Sequence, residues 1–91
     1  VVDVFIEDTP GLLSRLGEAL RAGNGTEVAA AAHALKGSIG LFSQGAAYEE
    51  ARRLEHLGRS GELAEAETVR AQLDGSVSAL MSELRVLVSR M

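Results

Sequence analysis

Apolar residues recur at helical spacing along most of this chain, and two short stretches of glycine and polar residues interrupt them. The interruptions are AGNGTE at 22–27 and LGRSGE at 57–62. Glycine among polar residues between periodic segments is typical of loops that join helices. No segment alternates apolar and polar residues over the length of a strand. The pattern therefore predicts an all-α chain and, because the loops are short, an antiparallel four-helix bundle.

The bounds of the predicted helices follow from capping residues and from the interruptions. In the first segment, from Val1 to about Arg21, Thr9 and Pro10 resemble an N-cap followed by proline at the first helical position. We therefore expect a short N-terminal helical extension and then a main helix that begins at Pro10. The other helices are predicted at 26–42 with Thr26 as the cap, at 46–57, and from 62 to near the C terminus.

Apolar residues of the fourth helix repeat in steps of four and three, which is the spacing of a heptad seam. The seam consists of Leu73, Val77, Leu80, Leu84, Leu87 and Met91. We interpret it as the side of the fourth helix that packs into the bundle core, and not as a coiled-coil dimer interface.

Composition and charge exclude several function classes. The chain has 91 residues, which is enough for a single domain over 1–91. Its aromatic content of 3% and its net charge of -4 argue against nucleic-acid binding. The absence of cysteine excludes disulfides, thiolate metal sites and cysteine nucleophiles. No apolar run approaches the roughly 20 residues of a membrane span, and no signal-peptide pattern opens the chain.

His33 lies in the stretch HALKGSIG at 33–40 and is predicted to face away from the core. A helix turns by about 100° per residue, which places a stripe of apolar side chains opposite the imidazole. The stripe consists of Val28, Ala31, Leu35, Ile39 and Phe42. We therefore predict an exposed histidine in preference to a histidine satisfied within the core.

The face of the second helix that carries His33 holds small residues where a solvated helix usually holds charged ones. Lys36 and Gly37 lie at the neighbouring i+3 and i+4 positions, and we expect the lysine to be exposed. The rest of the face consists of Thr26, Ala29, Ala30 and Gly40. Each glycine within a helix costs about 1 kcal/mol, so we interpret the small residues as clearance for another protein.

This pattern suits phosphoryl chemistry. A neutral imidazole is a nucleophile near neutral pH, and a lysine beside it would balance the charge of a phosphoryl group that it accepts. The pattern therefore indicates His33 as the acceptor, Lys36 as its charge partner and Gly37 as the clearance on the approach path.

The stretch AHALKGSIGLF at 32–42 resembles the histidine-containing phosphotransfer (HPt) domains of multistep two-component phosphorelays. The matching residues are His33, Leu35, Lys36, Gly37 and Ser38. FIEDTPGLLSRLGEALRAGN at 5–24 and ARRLEHLGRSGELAEAE at 51–67 resemble the other helices of that family. The resemblance implies an up-down four-helix bundle with the phosphorylated histidine exposed on the second helix. The chain departs from the usual family pattern at SQGA (43–46) and at Leu41, where Asn is common. We expect these departures to affect the choice of partner more than phosphotransfer itself.

The resemblance also implies a function for the site. Family members lack kinase activity; His33 would take a phosphoryl group from an aspartyl phosphate of one receiver domain and pass it to an aspartate of another. Glu55 matches a Gln or Glu of the third helix that could accept a hydrogen bond from the other ring nitrogen. Ser38 is expected to be structural, since its hydroxyl can bond back to the helix backbone. Gly40 is included as a supporting small residue.

Partners and cofactors follow from the same resemblance. The partners would be receiver domains of response regulators, which supply the magnesium, so no cofactor or metal is expected on this chain. The chain opens directly in the apolar stretch VVDVFIED, which fits a domain cut from a longer protein such as a hybrid sensor kinase. A free-standing domain is the alternative. We expect a cytoplasmic monomer without nucleic-acid or membrane contacts.

Other interpretations of the two histidines are weaker. His56 lies in a charged stretch and is predicted to be a surface residue. Neither His33 nor His56 has a partner at metal-ligand spacing, and no G-x-S-x-G motif indicates a hydrolase. Two function classes remain open: a phosphoryl-carrying signalling module, and a non-catalytic helical docking or oligomerisation bundle. A third, the bundle of a chemotaxis-type kinase, would need an ATP-binding domain that these 91 residues do not encode.

Overall fold

A computed structural model describes residues 2–90 of the chain, and these residues form four helices in a bundle. The helices are α1 (Val2–Arg21), α2 (Gly25–Ile39), α3 (Ala46–Ser60) and α4 (Leu63–Ser89). Each helix packs against the next one in the chain, and α1 also contacts α4. The described residues contain no strand. The predicted all-α four-helix bundle is thus confirmed. None of the described helices is both long and apolar enough to cross a membrane.

The core is built from one apolar stripe of each helix. The predicted stripe of α2 is confirmed, because Val28, Ala31, Leu35 and Ile39 are fully buried. Phe42, just beyond α2, is partly buried and meets the ring of Phe5 edge-on with the centroids 5.1 Å apart. Full burial of a Leu or Ile side chain contributes about 1.5–3 kcal/mol, so this stripe fixes the rotation of α2 about its axis.

Helix α1 runs without a break through Pro10, so Thr9 is not the N-cap that the sequence predicts. The predicted extension is present but continuous with the main helix. Phe5, Thr9 and Leu16 are all buried, which places residues on both sides of the proline on one core-facing stripe. Burial of this stripe outweighs the backbone hydrogen bond that proline removes.

The N-cap of α2 is Asn24, not Thr26. Its side-chain oxygen accepts a hydrogen bond from the backbone N–H of Glu27 at 3.2 Å. The residue before it, Gly23, has φ 66°, a left-handed conformation that glycine adopts without a Cβ clash. At its other end α2 stops at Ile39, three residues before the predicted end, and Phe42 belongs to the turn that follows.

Helix α3 begins at Ala46 as predicted and continues three residues past Leu57. Gly58, which the sequence assigns to a loop, therefore lies inside the helix. A Cβ on Gly58 would lie 2.6 Å from the backbone nitrogen of Ala29, and one on Gly25 would lie 2.5 Å from the Gly58 carbonyl oxygen. These two glycines allow the backbones of α2 and α3 to approach each other closely at one end of the bundle.

The predicted seam of α4 packs into the core only in part. Leu73, Val77 and Leu84 are buried and Leu80 is half-buried, whereas Leu87 is 56% exposed. Met91 lies outside the described residues. Helix α4, with 27 residues, is the longest of the four described helices, and its residues from 85 to 89 are exposed.

Candidate functional site

His33 lies on α2 with 66% of its side chain exposed, which confirms the predicted orientation. Its Nδ1 is 3.0 Å from Oε2 of Glu55 on α3. An ionised carboxylate only accepts hydrogen bonds, so Nδ1 is the nitrogen that carries the proton in this pair. In the neutral ring Nε2 then keeps its lone pair. The contact therefore selects one of the two tautomers of the imidazole.

Glu55 is the centre of a group of four charged or ionisable side chains, which we term the Glu55 cluster: His33, Lys36, Glu55 and Arg59. Only 4% of the Glu55 side chain is exposed. Its Oε1 accepts from Lys36 Nζ at 2.7 Å, and its Oε2 contacts the Arg59 guanidinium as well as His33. A buried carboxylate is thus surrounded by donors from two helices, which is the condition under which burying it is tolerated.

The environment of Glu55 keeps it ionised. Burial raises the pKa of this carboxyl group. Hydrogen bonds from Lys36 and His33, together with the positive charges of Lys36 and Arg59, outweigh that effect and lower the pKa below its ordinary value. Glu55 is therefore a carboxylate at neutral pH, able to hold the Nδ1 proton of His33.

Lys36 is not the exposed side chain that the sequence predicts. It is 24% exposed, and its ammonium group is engaged by Glu55. The rotation of α2 that turns His33 to solvent also turns Lys36 toward α3. The lysine is still within the same cluster as the histidine, but its charge is already balanced in the unmodified protein.

The small residues beside His33 serve two different purposes. Gly37 is exposed, and a Cβ there would meet nothing within 4 Å, so the surface next to the imidazole is open. Ala30 is exposed as well. Ala29, in contrast, is buried against α3, and a Cβ on Gly40 would lie 3.2 Å from the ring of Tyr48. The interpretation of the whole face as clearance is therefore wrong for Ala29 and Gly40, which pack within the bundle.

Ser38 lies on another side of α2. It is half-buried and lines a small cavity with Val4, Phe5, Asp8, Leu41 and Phe42. Ser38 thus lies at the contact between α1 and α2 and outside the Glu55 cluster, and its structural role stays a prediction. The second histidine, His56, lies on α3 and is exposed, as the sequence predicts.

Arg59 is a member of the cluster that sequence reasoning missed. It lies four residues after Glu55 on α3, a spacing that allows an ion pair on a helix but does not by itself identify one. Arg59 and His33 line the same shallow groove, whose other residues are Thr26, Ala29, Ala30 and Gly58. The contact of Gly58 with the α2 backbone brings this end of α3, and so Arg59, beside the histidine.

Within residues 2–90, no group of three or more His, Asp or Glu side chains is arranged to hold a metal ion. The chemistry available to this site is that of one imidazole, its carboxylate and two cations. Such a set can bind and neutralise an anionic group carried on the free ring nitrogen.

No curated protein and no solved structure matches the chain significantly. The family model described as Hpt domain matches residues 1–83, which include all four helices up to the last turns of α4 and the whole Glu55 cluster. Because this match covers most of the 91 residues, the chain belongs to the Hpt domain family, whose members are phosphotransfer carriers of phosphorelays.

Proposed function

We propose that this Hpt domain carries a phosphoryl group on Nε2 of His33, taken from an aspartyl phosphate of one receiver domain and passed to an aspartate of another. The observation that carries the proposal is the 3.0 Å contact between His33 Nδ1 and the buried Glu55. It leaves an exposed imidazole with one ring nitrogen protonated and the other free to attack. No other histidine of the described residues contacts a buried carboxylate.

In the first step the lone pair of Nε2 forms a bond to phosphorus while the phosphorus–oxygen bond of the aspartyl phosphate breaks. The aspartate leaves as a carboxylate with the electron pair of that bond. The Nδ1 proton stays against Glu55, so the phosphorylated ring carries a positive charge opposite a carboxylate. Glu55 acts through the ring and is a positioning residue.

The second step reverses these changes. The nitrogen–phosphorus bond breaks as a carboxylate oxygen of the next receiver bonds to phosphorus, and the electron pair returns to Nε2. Because Nδ1 has kept its proton, the ring leaves as neutral imidazole and not as an imidazolate anion. The same hydrogen bond to Glu55 therefore supports both directions of transfer.

The remaining predicted residues have supporting roles in this proposal. Lys36 contributes positive charge near the phosphoryl group while it also holds Glu55. Gly37 leaves the approach to the imidazole free of side-chain atoms. Ser38 and Gly40 keep the end of α2 packed against its neighbours.

The proposal extends to partners and setting. The receiver domain brings the magnesium ion, and this chain contributes no metal or cofactor of its own. The domain spans 1–91 and acts as a monomer in the cytoplasm, free-standing or attached to a hybrid sensor kinase, without binding nucleic acid or membranes.

A panel of receiver domains phosphorylated with a traceable phosphoryl group tests the proposal. The chain is expected to take label that is labile in acid and stable in base, as a nitrogen–phosphorus bond is. The variant His33→Gln is expected to take none while it keeps its helicity and melting temperature, because His33 is exposed and the glutamine amide can still donate a hydrogen bond to Glu55. Label on the variant, or stable binding of receivers without any transfer, would contradict the proposal; the second result would favour a non-catalytic docking bundle.

A further inference from the structure

The two cations of the Glu55 cluster differ in how firmly they are held. Lys36 is 24% exposed, and its Nζ makes a 2.7 Å contact with Oε1 of Glu55. Arg59 also contacts Glu55, but 68% of its side chain is exposed. A guanidinium has five N–H donors, and the single contact with Oε2 uses only part of them. Arg59 is therefore the cation of the cluster that is free to change partners.

Arg59 and His33 already share a ligand and a surface. Both contact the same oxygen of Glu55, so the guanidinium and the imidazole lie side by side. The groove that they line has the short side chains of Thr26, Ala29 and Ala30 on the α2 side. Apart from His33 and Arg59, the groove is lined only by short side chains and a glycine, which leaves room for the Arg59 guanidinium to move along it toward the imidazole.

The charges of the cluster change when the ring is phosphorylated. With a neutral imidazole, the carboxylate of Glu55 faces the two cations Lys36 and Arg59. Phosphorylation makes the ring cationic at its Nδ1 side and adds a phosphoryl group with between one and two negative charges at its Nε2 side. The carboxylate of Glu55 thereby gains the cationic ring as a partner. The anionic phosphoryl oxygens, in turn, require a positively charged partner.

We propose that Arg59 is a phosphoryl-binding residue, which leaves Oε2 of Glu55 for the phosphoryl oxygens when Nε2 of His33 is phosphorylated. This inference rests on the proposed function of His33. The planar guanidinium fork can donate two parallel hydrogen bonds to such a group, which the compact ammonium of a lysine cannot. Lys36 stays on Glu55 and holds the carboxylate in place during the exchange.

The test uses phosphoramidate, a small donor that phosphorylates accessible histidines without a protein partner. The phosphorus–nitrogen bond of phosphoramidate breaks, ammonia leaves, and the new bond forms at the histidine. The intact chain is compared with Arg59→Ala, Arg59→Lys and the control Arg53→Ala. Arg53 is similarly exposed and ion-paired, with Glu65 of α4 at 2.8 Å, but it does not line the His33 groove. Mass spectrometry locates the label, and circular dichroism checks that each variant is folded.

The readout is the proton affinity of the phosphoryl group on His33, followed as the pH dependence of its phosphorus NMR shift. A nearby cation favours the more charged form, so Arg59→Ala is expected to raise this proton affinity on the order of threefold, a modest factor because the site is open to water. Arg59→Lys should recover part of the change and Arg53→Ala should show none. The effect of Arg59 should diminish at high salt.

The outcomes separate this inference from the proposed function. Equal proton affinities in Arg59→Ala and Arg53→Ala, with label on His33 in both, would overturn the role of Arg59 and leave the proposed function intact. Label on His33 with the expected Arg59 effect, but no exchange with any receiver, would support the phosphoryl contact while the relay function fails. Absence of label on His33 in the intact chain would overturn both.

Discussion

Two charged clusters of this bundle are built in different ways. The Arg70 cluster, which consists of Glu67, Arg70 and Asp74, lies on α4 alone and is held by contacts between residues three and four positions apart. Its two acidic side chains, Glu67 and Asp74, are 60% and 43% exposed. The Glu55 cluster joins α2 to α3 and centres on a buried carboxylate. One cluster is a local property of a helix surface, and the other depends on the packing of two helices.

The difference appears in the forces on each carboxyl group. The hydrogen bond from Arg70 is the main influence on Glu67 and lowers its pKa, with a smaller opposing effect of burial. For Glu55 burial is the largest single effect and raises the pKa, and several donors together are needed to outweigh it. Exposed pairs contribute about 0–1 kcal/mol to stability, whereas a buried carboxylate depends on each of its donors. An imidazole that serves as one of those donors is held in a fixed orientation, as a nucleophile requires.

The largest effect that would distinguish the clusters is expected from Lys36→Ala. Transfer to His33 should slow on the order of tenfold, because a nearby positive charge is lost. The free energy of unfolding should fall by about 1–3 kcal/mol, because Glu55 stays buried without one of its donors. Stopped-flow transfer from a receiver and urea unfolding measure the two quantities.

Arg70→Ala is the matched control for this change, since Arg70 is similarly half-buried but belongs to the other cluster. It should leave transfer unchanged and cost less stability than Lys36→Ala. Lys36→Arg should recover part of the transfer rate. If Lys36→Ala transfers at the rate of the unsubstituted chain at low salt, the lysine has no part in the chemistry.

The second largest difference between the two clusters is expected in how the free energy of unfolding depends on pH in the acid range. The folded-state pKa of Glu55 lies below its ordinary value of 4.5, so its contribution is fully present above that value and is lost as the pH falls through the folded pKa. Glu55→Gln should therefore lower the free energy of unfolding by about 1–3 kcal/mol at pH 7 and progressively less in acid. Glu67→Gln should have a smaller effect at pH 7, because water screens its pair. Equal pH dependence of the two variants would show that burial of Glu55 does not matter.

The smallest effect concerns the approach to His33 and is measured with two glycines. Gly37 in α2 and Gly75 in α4 both lie inside helices, and a Cβ on either would meet nothing within 4 Å. Replacing either by leucine should stabilise its helix by up to about 1 kcal/mol. Gly37→Leu should also slow transfer from a receiver about threefold by obstructing its approach, and Gly75→Leu should not. Equal transfer rates for both variants would remove the steric role of Gly37.

Apolar periodicity was sufficient to predict the four helices and the exposed position of His33, because the core stripe of α2 fixes its rotation. Local capping signals were less reliable. Asn24 and Thr26 are both good caps, and α2 uses Asn24, with Gly25 at its start lying close to the backbone of Gly58 on α3. Thr9 and Pro10 carry a start signal that burial of α1 overrides.

The ion pairs of the site were harder to predict because they depend on distances between helices. Only the family resemblance indicates Glu55, and its contact with Lys36 cannot be predicted from the sequence of either helix alone. The spacing of Glu55 and Arg59 did signal a pair. Glu49 and Arg53 have that same spacing, yet Arg53 pairs with Glu65 of α4 and Glu49 pairs with Arg52. Spacing therefore could not identify Arg59 by itself.

The central claim is that the hydrogen bond to Glu55 reserves Nε2 of His33 for the phosphoryl group. The most direct measurement is NMR of the chain with isotope-labelled histidine after phosphorylation by a receiver, which detects the scalar coupling between phosphorus and the bonded nitrogen. The account predicts coupling to Nε2 of His33, with Nδ1 of the same ring still protonated. Coupling to Nδ1, or to a ring nitrogen of His56, would contradict it.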